Sequence, residues 1–573
     1  MSYNRQTQKI ESKNLDHLGL VAGMYDELGI GDIIDEAIEQ DKEKRLVSIG
    51  QAVKAMVLNG LGFVNQRLYL FPKFFQDKPI DRLIGEGICA SQLNEHVMGR
   101  TLDDIYDYDA TSLYSQIAVG ATQALNLECR SSHLDSTSFH TDGTYKTKEG
   151  CEEINTSKLT TEEDVPDRKQ GSDADSSKII NITKGYSRDH RPDLNQAILQ
   201  LIVENQAGIP LLMKSMDGNN DDKTGFRETI QAHISQLTEA YPLKYIVADS
   251  ALYTASSLQV LSLNPGIHWI SRVPETITEA KEAIEKVELS EMTVIDEQTR
   301  YQAITSNYAD IEQRWIIVHS SQAEKRAKRT LDKQCFKAST ANLKAFNTLC
   351  NKTFDQKKEA RKALQEFEKK LLFTGIVESK IKAIPRYKKR GKPHKDTKPD
   401  HYVYQIEGCL ASLLTPRETR LKRKSCFIIA TDELDEKALP DTEVIVQYKN
   451  QQKVERGFRF LKDPMFLADS LFLKSPKRIM ALMMVMTICL LVYAALEYRI
   501  RQSLKEKKQT FPNQKGKFTE NPTIRWIFQY FVGIHLVVIQ QAQKPVQVIV
   551  SNLDEHHRNV LSLLGRRYEA FYY

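Results

Sequence analysis

Cysteine is sparse and scattered in this 573-residue chain, with eight thiols, no CxxC pair and no histidine at zinc-ligand spacing. That excludes a disulfide-stapled scaffold and a zinc finger, and points to a reducing, cytoplasmic compartment. An apolar leader is missing too: the first fifteen residues are polar, so the expectation is a chain without a secretory signal. Net charge is low for a nucleic-acid binder, only +5. Long hydrophobic runs are lacking except one, IMALMMVMTICLLVYAAL at 479–496, about the length of a minimal membrane span. A lone span after a polar segment would press the rest of the chain against a bilayer. A fully buried core helix is therefore expected, and no membrane partner.

What is present is unevenly distributed. Lys380 to Lys398 holds nine Lys/Arg and one acid, while Glu149 to Asp175 holds nine acids and three bases with little hydrophobic content. The first stretch suits phosphate contact, with Tyr387 able to stack on a base or sugar; the second reads as a loosely ordered insertion. The length allows two to four domains.

The pattern divides the chain into four regions. Residues 1–125 read as helical. HLGLVAGMYDELG stops at Gly29, and Ser48 with Gln51 makes a capping box. Residues 126–275 alternate strands (HLDSTSF, KIINITKGY, AILQLIVEN, IPLLMKSM, KYIVADS, IHWISRV) with helix, a mixed sheet flanked by helices. Residues 276–424 form an α+β insertion, with two helices marked by Leu343, Phe346, Cys350 and by Leu364, Phe367, Leu371. Residues 425–573 return a strand, CFIIATDEL, to the core and continue as helix, including NPTIRWIFQYFVGIHLVVI. Trp269, Trp315 and Trp526 are expected to pack in the core.

Three carboxylates stand out. Asp135 falls within the strand-like SSHLDSTSFHTDG, and Asp249 ends the apolar run Tyr245, Ile246, Val247. Glu455 lies 206 residues beyond Asp249, in YKNQQKVERGFRFLK. Tyr448, Gln451, Glu455, Arg459 and Lys462 are spaced 3, 4, 4 and 3, one stripe of a helix whose other side, Val454, Phe458 and Leu461, can pack. Three carboxylates brought together suit Mg²⁺, which takes oxygen ligands and substrate phosphates. An Asp at a strand end equally caps a turn.

The blocks DSTSFH, GYSRDHRPDLNQ, VADSALY and the Tyr448–Glu455–Lys462 spacing occur in this order. In this the chain resembles a DDE insertion-sequence transposase of the insertion-sequence 1634 group, within the insertion-sequence 4 superfamily. Where that family carries Arg, this chain has Gln451, so Arg459 is the substitute clamp. The resemblance implies an α/β fold: a ribonuclease H-like catalytic core with an all-α N-terminal region and a large α+β insertion between the second Asp and the Glu. It implies Asp135, Asp249 and Glu455 as catalytic and metal ligands for two Mg²⁺ or Mn²⁺ ions. It also implies cleavage at terminal inverted repeats and strand transfer into target DNA. Double-stranded DNA, as element ends and target, is the expected partner, bound by a homodimer that is nucleoid-associated when on DNA. Tyr448, Gln451, Arg459 and Lys462 would contact DNA beside the acids, and Arg386, Tyr387, Lys388, Lys389 and Arg390 from the basic segment. Two rivals are a ribonuclease H-like nuclease without strand transfer and a catalytically silent DNA-binding protein.

Overall fold

A computed structural model of the chain describes residues 9–41, 45–63, 70–141, 179–186, 191–388, 398–463, 473–540 and 546–573. The acidic stretch 149–175, Asp189, His190, Lys389 and Arg390 lie outside them. The chain forms two compact units, Met1–Ile270 with Val446–Tyr573, and Ser271–Ile445.

The first unit opens with strand β1 (Lys9–Asn14) and continues through helices α1 (Leu18–Glu27), α2 (Ile30–Ala37), α3 (Ile49–Leu61), α4 (Phe71–Phe75), α5 (Ile80–Leu83), α6 (Glu95–Tyr108) and α7 (Ala110–Ala124). Gly29 ends α1 with φ 65°, a left-handed conformation that costs glycine nothing. The capping box at α3 forms in both directions: Gln51 N donates to Ser48 Oγ at 3.1 Å and Ser48 N to Gln51 Oε1 at 3.0 Å. The N-terminal region is not all helix, because β1 pairs antiparallel with a strand more than 500 residues away, Lys9 opposite Gln540. A polar edge strand has no local hydrophobic signature, so nothing in KIESKN announces it.

Strands β2 (Ser131–Thr141), β3 (Asn195–Glu204) and β4 (Pro210–Met216) follow, then α8 (Asp222–Ala240), β5 (Tyr245–Ala248), α9 (Ala255–Ser262) and β6 (His268–Arg272). Their order is β4-β3-β2-β5-β6, a mixed sheet in which β2 and β3 are antiparallel and β2 and β5 parallel. KIINITKGY makes only an isolated bridge, Thr183 to Gln196. Gln196 also donates from Nε2 to Tyr186 O at 3.1 Å, so a side chain reinforces the bridge that fixes the segment.

The second unit holds α10 (Thr278–Lys286), β7 (Thr293–Val294), β8 (Thr299–Tyr308), β9 (Ile311–Ser320), the 30-residue α11 (Ser321–Cys350), β10 (Thr353–Phe354), α12 (Lys357–Glu368), β11 (Thr374–Arg386), β12 (His401–Ser412), α13 (Leu414–Ser425) and β13 (Cys426–Thr431). One of its sheets runs β13-β9-β8-β7 and the other β10-β12-β11. The two expected helices meet through Phe346 and Phe367, 5.5 Å between ring centroids. The unit runs to Ile445, and within it β13 is paired along its length with β9.

The chain rejoins the first unit within α14 (Asp441–Lys449), followed by α15 (Gln452–Leu461), α16 (Pro476–Glu506), the short pair β14 (Phe511–Pro512) and β15 (Phe518–Thr519), α17 (Ile524–Tyr530), β16 (His535–Gln540), β17 (Gln547–Ser551), α18 (Glu555–Leu564) and α19 (Arg566–Tyr572). The stretch expected as one C-terminal helix breaks at Gly533, φ 93°, and Val537, Val538 and Ile539 run on as strand β16. β-Branched side chains favour that outcome. Helix α16 is long and apolar enough to cross a membrane, but 83% of its most apolar window is buried inside the chain. It packs against α1, α3, α6, α7, α18 and β4. Each of its fully buried side chains contributes roughly 1.5–3 kcal/mol. Trp269 and Trp315 are buried, and half-buried Trp526 donates to Pro512 O at 2.7 Å.

Candidate active site

Parallel pairing of β2 with β5 decides where the first two acids stand. The ladder ends at Leu134 opposite Ala248, so the next residue on each strand is Asp135 and Asp249. Adjacent strands lie about 4.8 Å apart, and matched positions share a face of the sheet. The two carboxylates are therefore neighbours at the carboxyl end of the pair. Each is oriented locally: Ser136 N donates to Asp135 Oδ1 at 2.8 Å and Ala251 N to Asp249 Oδ1 at 2.9 Å. Asp135 is buried and Asp249 half-buried. On the opposite face of β2, Ser136 Oγ donates to Asp222 at the start of α8.

Helix α15 lies over the Asp135 face. Its apolar side, Val454, Phe458, Phe460 and Leu461, enters the core of the first unit. At its far end, Lys462 Nζ sits 5.9 Å from the centre of the Phe139 ring, and Phe139 shares its face of β2 with Asp135. Its near end is tied to the same face through His133. The His133 Nε2 proton is shared with Asn205 Oδ1 at 3.1 Å, Asn205 Nδ2 donates to Gln447 Oε1 at 2.8 Å, and Lys453 Nζ donates to Asn205 O. These two anchors bracket Asp135 below and Glu455 above.

Glu455 itself is exposed, in the first turn of α15. Among the described residues no three His, Cys, Asp or Glu side chains stand close enough together to hold one metal ion. The structure thus pairs Asp135 with Asp249 and brings the helix of Glu455 over them, without joining the third carboxylate to the pair.

The predicted five-residue stripe is not one helix. Tyr448 lies in the last turn of α14, Gln451 caps α15, and a tight turn separates them, with Gln451 N donating to Tyr448 O at 3.1 Å. The Gln451 side chain is buried and its Oε1 has no hydrogen-bond partner. An orphaned buried acceptor costs about 1–3 kcal/mol, the same range as many complete side-chain contacts. Arg459 is exposed, and Lys462 is the half-buried C-cap. Arg386, Tyr387 and Lys388 belong to the second unit, at the end of the β11–β12 hairpin, where Lys388 N donates to Asp400 Oδ2 at 2.6 Å. In the same hairpin Lys380 and Lys382 both pair with Glu407, whose carboxyl is held below its usual range by their hydrogen bonds.

Sequence reasoning missed His133, Asn205 and Gln447. Burial holds the His133 imidazole near 4, so it is neutral and fit to share one proton with an amide oxygen. Burial also lowers the Lys453 ammonium.

The Transposase DDE domain model matches residues 133–492, a stretch that holds Asp135, Asp249 and Glu455. The chain belongs to the DDE transposase family. A domain of unknown function, DUF4277, matches residues 10–119. No curated protein matches the chain. Among solved structures, the piggyBac transposase in a synaptic complex with hairpin DNA is similar over 91% of this chain and 82% of that one, at 7% identity and a TM-score of 0.37. DDE transposases act on DNA by nucleotidyl transfer and generally use divalent metal ions. The donor set fits that requirement, since two neighbouring carboxylates are what Mg²⁺ takes from protein before phosphate and water complete its shell.

Proposed function

We propose that this transposase cleaves DNA at the terminal inverted repeats of an insertion sequence and transfers the freed strand into target DNA, as a member of the insertion-sequence 1634 group. The observation that carries this reading is the neighbouring pair Asp135 and Asp249 beneath the helix of Glu455. The strand order β4-β3-β2-β5-β6 supports a ribonuclease H-like core around it.

Asp135, Asp249 and Glu455 would hold two Mg²⁺ or Mn²⁺ ions, which supply charge stabilisation to the attacking and leaving oxygens at phosphorus. Asp135 and Asp249 are held by backbone N–H donors, so their oxygens stay aimed along one face. Glu455 rides on a helix anchored at both ends, and its flexible side chain is the part free to close on bound DNA. Arg459 and Lys462 offer positive charge on the exposed side of that helix, with Tyr448 and Gln451 before it. Arg386, Tyr387, Lys388, Lys389 and Arg390 are read as a separate phosphate contact in the 276–424 insertion. Residues 1–125 are read as the end-recognition region, with 126–275 and 425–573 as the two parts of the core. A homodimer would hold both ends, in the cytoplasm and on the nucleoid.

The test is incubation of the purified chain and its Asp249→Ala variant with Mg²⁺, a labelled element end and a target plasmid. Cutting and joining by the wild type alone is the expected result. Cutting without joining would make the protein a nuclease, and binding alone by both proteins would make it a silent DNA binder.

A further inference from the structure

Helix α15 has a second functional face. Lys453, Arg456 and Phe460 turn about 100–160° away from Glu455 around the helix axis. With the last turns of α16 they line an open cleft of ≈ 620 Å³, whose other walls carry Tyr493, Tyr498, Arg501 and Lys505. That volume lies in the range of sites that take a small ligand or one unit of a polymer.

The charges in the cleft are unbalanced. Of its two acids, Glu497 is engaged, accepting from Arg501 at 2.7 Å and from Ile524 N at 3.0 Å. Glu520 is the other. Lys453 directs its ammonium to the carbonyl oxygens of Asn205 and Gln206, and among the described residues it is in no ion pair. Among the described residues neither Arg456 nor Lys505 is in an ion pair. Three cations facing one cleft with a single unengaged carboxylate repel one another unless an anion enters. Burial lowers the Lys453 ammonium, against the pull of the nearby Glu204 carboxylate, and Arg456 adds to the lowering. Beside the cations are flat aromatic surfaces: the Phe460 and Tyr493 rings pack at 4.1 Å, and Tyr498 is half-buried on the wall.

We propose that this cleft is a second nucleic-acid site, taking one or two nucleotides of an unpaired strand, with phosphates on Arg456 and Lys505 and a base against the Tyr493–Tyr498 wall. Cations beside aromatic faces are how single strands are held without regard to sequence. The choice of nucleic acid rests on the transposase reading, but the site is separate from the acids. A strand bound here meets the back of the helix whose front carries Glu455, so the two faces of α15 would hold different DNA segments.

The experiment is fluorescence anisotropy of a labelled eight-nucleotide DNA strand with the full chain at several salt concentrations. Arg456→Glu/Lys505→Glu should weaken binding at least tenfold. It should also flatten the log–log salt slope by about 1.4, two phosphates at roughly 0.7 each. Arg456→Gln/Lys505→Gln should act in the same direction, and Tyr498→Ala should weaken binding about 5- to 100-fold. Wild-type affinity in both charge variants, each folded by its thermal melt, would overturn the proposal. Deoxyadenosine monophosphate competing as tightly as the strand would overturn the strand assignment in favour of a free nucleotide. Strand binding that obeys these variants in a protein that cuts no element end would support this site and sink the proposed function.

Discussion

At the scale of single residues, two kinds of buried polar group do different work. Asp135 and Asp249 are oriented by backbone donors that an amide oxygen could also accept from, so Asp135→Asn and Asp249→Asn should fold normally. Each should lose metal-dependent DNA cutting by more than the about 10–100-fold typical of losing a supporting partner. Comparing cutting rates and melting temperatures of the three chains checks this; cutting that survives either change removes that residue from the site. His17 and His133 are instead held neutral by burial, both near 4. In the unfolded chain they titrate near 6.5, so unfolding takes up protons and the stability they lend is full above 6.5 and lost as pH falls toward 4. At pH 5 the loss is roughly 2 kcal/mol for each. Denaturant midpoints measured from pH 7 to 5 should fall, and His17→Gln should flatten that slope.

At the scale of elements, helix α15 depends on a side chain from a turn. Asn205 joins His133, Gln447 and Lys453, and Asn205→Ala removes both side-chain bonds at the near end of α15. Cutting should slow about tenfold or more with DNA affinity unchanged, measured as rate at saturating DNA; a weaker affinity with an unchanged rate would place Asn205 in binding instead. Helix α16 answers to a different force. Leu491 is fully buried in it, and Leu491→Ala should cost about 2–5 kcal/mol by chemical denaturation.

Elements also separate what the sequence discloses from what it hides. The capping box at Ser48, the buried run of α16 and the strands carrying Asp135 and Asp249 were legible, because each is a local pattern of caps, apolar spacing or β-branched residues. The break at Asn450–Gln451 was not, since every residue around it suits a helix and the turn is imposed by how α15 packs on β2. Strand β16 hid behind an apolar run that serves helix or strand equally, and β1 behind its polarity. The pairing of Asp135 with Asp249 was readable only as chemistry; their adjacency is a register between strands over a hundred residues apart.

For the whole molecule, the three acids belong to one unit although the second unit, Ser271–Ile445, interrupts the sequence between two of them. Amide hydrogen exchange should find α16 among the slowest elements, because eight neighbouring elements cover it. Fast exchange along α16 would mean the helix is not the core it is built to be.

Strand β1 has one more consequence, in time rather than in space. Its ladder partner among the described residues, β16, is made 531 residues later, counting from Lys9 to Gln540. At about 5–20 residues per second the ribosome needs roughly half a minute to two minutes to bridge that gap. During synthesis the start of the chain waits with its backbone unpaired, and the helix of Glu455 emerges only near the end of that wait. A nascent or prematurely stopped copy therefore carries Asp135 and Asp249 but neither Glu455 nor the closing strand.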